Sequence, residues 1–181
     1  MKKVIAALGF VLSVHMASAQ VWVVENGDVS FFSKAPKELI EARSKDLRGV
    51  LDLTKGVFAF QVGVASFQGF NSPLQQQHFN ENYMETTAHP LAKYTGKIIE
   101  SLDLSRDGTY SVRTKGKFTV HGVTVERILP STVTVKGGKV SLRSEFTVPL
   151  TDHNIKIPRV VYDKLAPEIA VAVMANLVPR K

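Results

Sequence analysis

Side chains able to do acid–base or metal chemistry are thinly spread along this 181-residue chain: there are five histidines and no cysteine. Without thiols there is neither a disulfide framework nor a soft metal ligand. His15, His78, His89, His121 and His153 never stand four residues apart, as a helical metal site requires, and no His-Glu-x-x-His run exists. His78, Glu81 and Glu85 offer ligand types on or near one predicted helix, but their mixed spacing favours a surface role. His121, before Gly122, reads as a turn residue, and His153 as part of a polar loop. Asp103 and Asp107 flank a turn, and Glu81 and Glu85 a helix end. Neither pair sits among apolar neighbours, as the enclosed acids of a hydrolase would. Gly-x-Ser-x-Gly, phosphate-loop and Gly-x-Gly-x-x-Gly motifs are all missing. The reading is a non-enzymatic protein without a cofactor. Its catalytic rival is a metal-dependent enzyme or metal binder using His78, His89 and nearby carboxylates.

The stronger signal is apolar, and it has period two. From Thr109 to Val120, Tyr110, Val112, Thr114, Gly116, Phe118 and Val120 share one face, while Arg113, Lys115 and Lys117 share the other. Val140, Leu142, Ser144, Phe146, Val148 and Leu150 oppose Ser141, Arg143, Glu145 and Thr147. Phe58, Phe60, Val62 and Val64 oppose Ala59, Gln61, Gly63 and Ala65. Such alternation defines half-buried strands. Thr54-Lys55-Gly56, Arg106-Asp107-Gly108 and Gly137-Gly138 separate the runs as hairpin turns.

Strands are expected near 21–25, 28–34, 46–53, 57–67, 92–104, 109–120, 123–136, 139–149 and 168–178. A helix is expected over Ser72–Met84, capped by Ser72 with Pro73 in its first turn, and a shorter one over Pro158–Leu165. The predicted class is therefore all-β with one or two short helices. Long hairpin-linked strands indicate a sandwich or barrel, and eight strands closed into a barrel leave room for side chains or one slender ligand. A membrane-spanning barrel is disfavoured, because Arg or Lys facing lipid at mid-span costs roughly 2–4 kcal/mol each.

Turning the cations to water points the apolar set inward. The expected interior lining is Phe58, Phe60, Val62, Val64, Tyr94, Ile98, Tyr110, Val112, Phe118, Val120, Leu142, Phe146 and Val148. Tyr94 and Tyr110 are the candidate polar contacts, and the Ser72–Met84 helix is placed over one mouth. Packed cores and lined cavities share this periodicity, so a filled barrel of structural or stress-related role stands as an alternative. Gly63, Gly69, Gly96 and Gly116, in or beside strands, lean toward a cavity.

Residues 1–19 form a separate unit. Met1-Lys2-Lys3, the apolar run from Val4 to Val14, and Ala17-Ser18-Ala19 make the three-part pattern of a secretory signal peptide, with Gln20 opening the mature chain. The remaining span, 20–181, suits one domain. A periplasmic or secreted location follows. The formal charge is +7, or +5 without Lys2 and Lys3. Those charges are scattered, which argues against nucleic acid and allows weak contact with an anionic membrane surface. Exposed sheet edges would permit a homodimer.

Several segments together resemble the YceI-like family: Ser30-Phe31-Phe32-Ser33-Lys34-Ala35-Pro36, Gly49-Val50-Leu51-Asp52-Leu53, His78-Phe79-Asn80-Glu81-Asn82-Tyr83-Met84-Glu85, His89-Pro90-Leu91-Ala92-Lys93-Tyr94-Thr95-Gly96, and Lys115 to Thr124. Leu150 to Pro158 resembles the loop before that family's last helix. Order and spacing carry the specificity, from about Asn26 to Val173. The resemblance implies an extended lipocalin-like antiparallel barrel in the periplasm or outside the cell. It also implies a polyisoprenoid, an isoprenoid quinone or a similar long-chain lipid bound inside, for transport or storage. It carries over no catalytic residue.

Overall fold

The computed structural model describes residues 21–101 and 106–180. The expected signal peptide and its boundary at Gln20 therefore lie outside the described residues, as does the end of the strand expected over 92–104. Among the described residues, nine strands form one antiparallel sheet: β1 (Val21–Lys34), β2 (Leu39–Ser44), β3 (Leu47–Asp52), β4 (Val57–Gly63), β5 (Leu91–Ile98), β6 (Gly108–Val120), β7 (Val123–Lys136), β8 (Lys139–Pro149) and β9 (Glu168–Pro179). β1 pairs with β9 from Trp22 opposite Pro179 to Phe32 opposite Ala170, and this closes the sheet into a barrel.

β2 and β3 lie end to end along the other edge of β1. Val29 opposes Ser44, and Val23 opposes Val50. The two register sums are equal, so together they act as one strand broken at Lys45–Asp46, and the closed barrel has eight staves. β1 itself is continuous, where two runs were expected. A bulge between Val24 and Asn26 absorbs the irregularity. β2 was not anticipated: its inward residues Ile40, Ala42 and Ser44 alternate with exposed Leu39, Glu41 and Arg43, a run too short and polar to stand out.

Burial follows the period of two. Along β6, Val112, Thr114, Phe118 and Val120 are buried, while Arg113, Lys115 and Lys117 are exposed. Gly96 on β5 and Gly116 on β6 face each other, and a Cβ on either would lie 2.2–2.3 Å from the partner strand's carbonyl oxygens. Only glycine permits that close approach.

β7 and β8 diverge. Their ladder runs from Lys136 opposite Lys139, at the hairpin turn, to Thr132 opposite Arg143 and stops there. Beyond it Pro130 has no N–H to donate. Side chains bridge the widening seam instead: Ser144 Oγ donates to the Pro130 carbonyl at 2.6 Å, and Arg127 Nη2 to the Thr147 carbonyl at 2.8 Å.

The expected helix is a single turn and a half, α1 (Pro73–His78), continued by a wider π-type turn over Phe79–Tyr83. Ser72 Oγ caps it by accepting from the Gln75 N–H at 3.1 Å. The helix expected over Pro158–Leu165 reduces to one 3₁₀ turn, Arg159–Val161.

Candidate ligand-binding site

The barrel interior is divided. At the end where β3 finishes and β9 terminates, Trp22, Leu51, Leu53, Val112, Val133, Val135, Val140, Ala175 and Leu177 are buried against one another. The other end holds a cavity of about 560 Å³, well within the roughly 300–1,000 Å³ usual for a ligand pocket. The result is a pocket with a packed floor, open at the end covered by α1 and the Leu150–Pro167 loop.

Of the thirteen residues expected to line the interior, Phe58, Phe60, Val62, Val64, Tyr94, Phe118, Val120, Leu142, Phe146 and Val148 border this cavity. Ile98, Tyr110 and Val112 do not. Val112 is part of the floor, and Ile98 and Tyr110 pack against it. They face inward as their periodicity requires, but they fall where large side chains meet across the barrel and leave no space.

The two tyrosines expected to supply polar contacts spend their hydroxyls on protein. Tyr94 Oη donates to the Thr114 carbonyl at 3.0 Å and lies 3.1 Å from Thr114 Oγ1. Burial pushes its phenol above the ordinary value, with the Thr114 hydrogen bond opposing that rise. Tyr110 Oη donates to the Arg106 carbonyl at 3.0 Å in an exposed position. The rim carries the polar groups instead: Glu38, Ser72, Gln75, His78 and Lys164. Glu38 is held by Gln75, whose Nε2 donates at 2.8 Å.

Beneath α1 lies a feature that periodicity did not reveal. Phe31, Phe67, Phe70 and Phe79 form a connected ring cluster on the cavity wall: Phe31 stacks on Phe79 at 5.4 Å, and Phe70 meets Phe79 at 5.0 Å. Phe31 was legible as the inward neighbour of Val29 and Ser33. Phe67 and Phe70 belong to a loop with no repeat to read.

The histidines separate. His78 sits exposed on the cavity rim. His153 is buried, its Nδ1 3.2 Å from the Val123 carbonyl and its ring against Phe118, and burial pushes its pKa below the ordinary histidine value. His89 and His121 converge with Glu85, their ligand atoms lying within 4.8 Å of one another. The sequence reading paired His89 with His78 and left His121 as a turn residue.

The chain is an antiparallel barrel closed on itself, packed at one end and holding an apolar pocket at the other. The YceI-like domain model matches residues 22–177, and the chain belongs to that family. Three solved structures share the fold. A polyisoprenoid binding domain from Saccharophagus degradans, described as implicated in plant cell wall breakdown, is 13% identical with a TM-score of 0.75, over 89% of this chain and 99% of its own. BcnA of Burkholderia cenocepacia is 18% identical with a TM-score of 0.68, over 83% and 95%. The Campylobacter jejuni YceI protein is 10% identical with a TM-score of 0.55, over 100% and 99%. No curated protein matches the chain.

Proposed function

We propose that this protein binds a long apolar molecule, a polyisoprenoid or isoprenoid quinone, in its pocket, and transports or stores it in the cell envelope without catalysis. One observation carries the reading: an apolar cavity of about 560 Å³ that is deep, floored and open at one end. A barrel of purely structural role has no use for that volume, since unfilled apolar space costs stability. The Saccharophagus degradans neighbour, named for polyisoprenoid binding, supports the same class of ligand. The chain enters first and stops at the floor. Its polar head remains among Glu38, Gln75, His78 and Lys164. Each buried methylene contributes about 0.8 kcal/mol, so a long tail binds tightly without a single polar contact.

Export fits this role. The leader pattern of residues 1–19 supports a mature chain in the periplasm or outside the cell. Near the mouth, exposed Leu39, Leu74, Val160 and Tyr162 stand with Arg159 and Lys164, while Lys37 is paired with Asp163 at 2.6 Å, a mixture suited to weak contact with an anionic membrane from which lipid is drawn.

Native mass spectrometry of the protein purified from its own host tests this. The expected spectrum shows a chain beginning at Gln20 and carrying one noncovalent lipid, which solvent extraction releases as a prenyl-type compound. A protein that is always bare, including directly from its host, contradicts the carrier reading.

A further inference from the structure

We infer that Glu85, His89 and His121 form a binding site for a divalent transition-metal ion such as zinc, at the mouth end of the barrel. The residues come from three places: the segment after the Phe79–Tyr83 turn, the approach to β5, and the β6–β7 turn. Glu85 Oε2 lies 3.3 Å from His121 Nε2 and 3.9 Å from His89 Nε2. Ligands held about 2.0–2.1 Å from a tetrahedral zinc stand about 3.3–3.4 Å apart, so the group closes on an ion with small side-chain movements.

The hydrogen-bond pattern leaves His121 Nε2 directed at Glu85. His121 Nδ1 is 3.0 Å from the His153 carbonyl, which can only accept, so Nδ1 carries the proton. In the neutral ring Nε2 is then an acceptor, and it faces a carboxylate oxygen that is also an acceptor. At 3.3 Å the two atoms are joined either by a second proton on the ring or by a metal ion that both ligate. A carbonyl behind Nδ1 is also the outer-shell arrangement that fixes a ligating histidine's tautomer.

The backbone is shaped around the same point. Glu85 and His121 adopt φ of 44° and 49°, left-handed conformations that side chains rarely take. Both the Ala88 and His89 N–H groups donate to the Glu85 carbonyl, at 2.8 and 2.9 Å, folding His89 back over Glu85. The His89 ring lies against Gly122, where a Cβ would come within 2.6 Å of it. Side-chain exposures of 56%, 31% and 14% for Glu85, His89 and His121 leave the group open on one side to an incoming ion. Two imidazoles and one carboxylate with an open position suit zinc and its neighbours in the first transition row, not calcium or magnesium.

The test is calorimetric titration of zinc chloride into the tag-free mature chain after chelator treatment and dialysis. The expected result is one-to-one binding, weakened at least tenfold in His89→Asn and in His121→Asn, with His78→Asn unchanged. Asparagine at 121 tolerates the left-handed backbone, and His89→Asn leaves that turn intact, so at least one variant reports on a folded barrel. No binding to the unaltered chain overturns the proposal, as does binding that survives both substitutions. This inference is independent of the lipid reading, and either can fail alone.

Discussion

Leu177 and Phe146 occupy neighbouring strands and both face the barrel axis, yet their surroundings differ. Leu177 is buried in the floor against Val140, whereas Phe146 is half-buried on the pocket wall beside Phe118. Leu177→Ala is expected to cost about 2–5 kcal/mol, because it opens a void in a packed layer. Phe146→Ala is expected to cost only about 1–2 kcal/mol, since the ring already borders empty space. Urea unfolding of both variants checks the order, and equal losses would mean that floor and pocket are not distinct. The same distinction marks how far single residues were legible. Alternation told inward from outward correctly along β4, β6 and β8. It could not tell lining from filling, because both have period two. Ile98, Tyr110 and Val112 fell on the filled side for that reason, and nothing in their own neighbourhoods announces Trp22 or Leu51 opposite them. Phe67, Phe70 and the Glu85–His89–His121 group were harder still. Their proximity is created by loops and by chain crossings that no local pattern encodes.

Among the elements, the strands with charged outer faces and glycine turns were readable from their repeat, and β6, β7 and β8 lie within a residue or two of expectation. β2 was lost between Lys37 and Arg43, where charges mask a three-residue inward face. The helix over the mouth was legible at its start, from Ser72 and Pro73, but its π-type continuation answers to the packing of Phe79 against Phe31 and Phe70. The β7–β8 seam is a property of element pairing alone. Arg127 spans it, donating to Thr147 and lying 3.6 Å from Asp152. On the inner side of the seam, Leu129, Ser131, Ser144, Phe146 and Val148 line the pocket. Arg127→Ala is therefore expected to loosen the wall beside the ligand and to speed its exchange severalfold, with only a small loss of stability, as befits a partly exposed group. Stopped-flow displacement of a fluorescent fatty acid measures the rate. An unchanged rate would show that exchange passes through the mouth alone.

For the whole molecule, closure is what makes the pocket. β1 joins β9 along most of its length, and the closed wall leaves no sheet edge through which the interior could collapse or fill from the side below the seam. Depth then follows from where the packed floor begins, at Val112, Leu51 and Val133, and under the proposed function that floor sets the length of chain the pocket takes. The account is tested most directly by calorimetric titration of the delipidated protein with a series of saturated chains of increasing length sharing one head group. Affinity is predicted to rise by about 0.8 kcal/mol for each added methylene that is fully buried, and then to level off once the chain reaches the floor. Affinity independent of length, or no binding at any length, would contradict it.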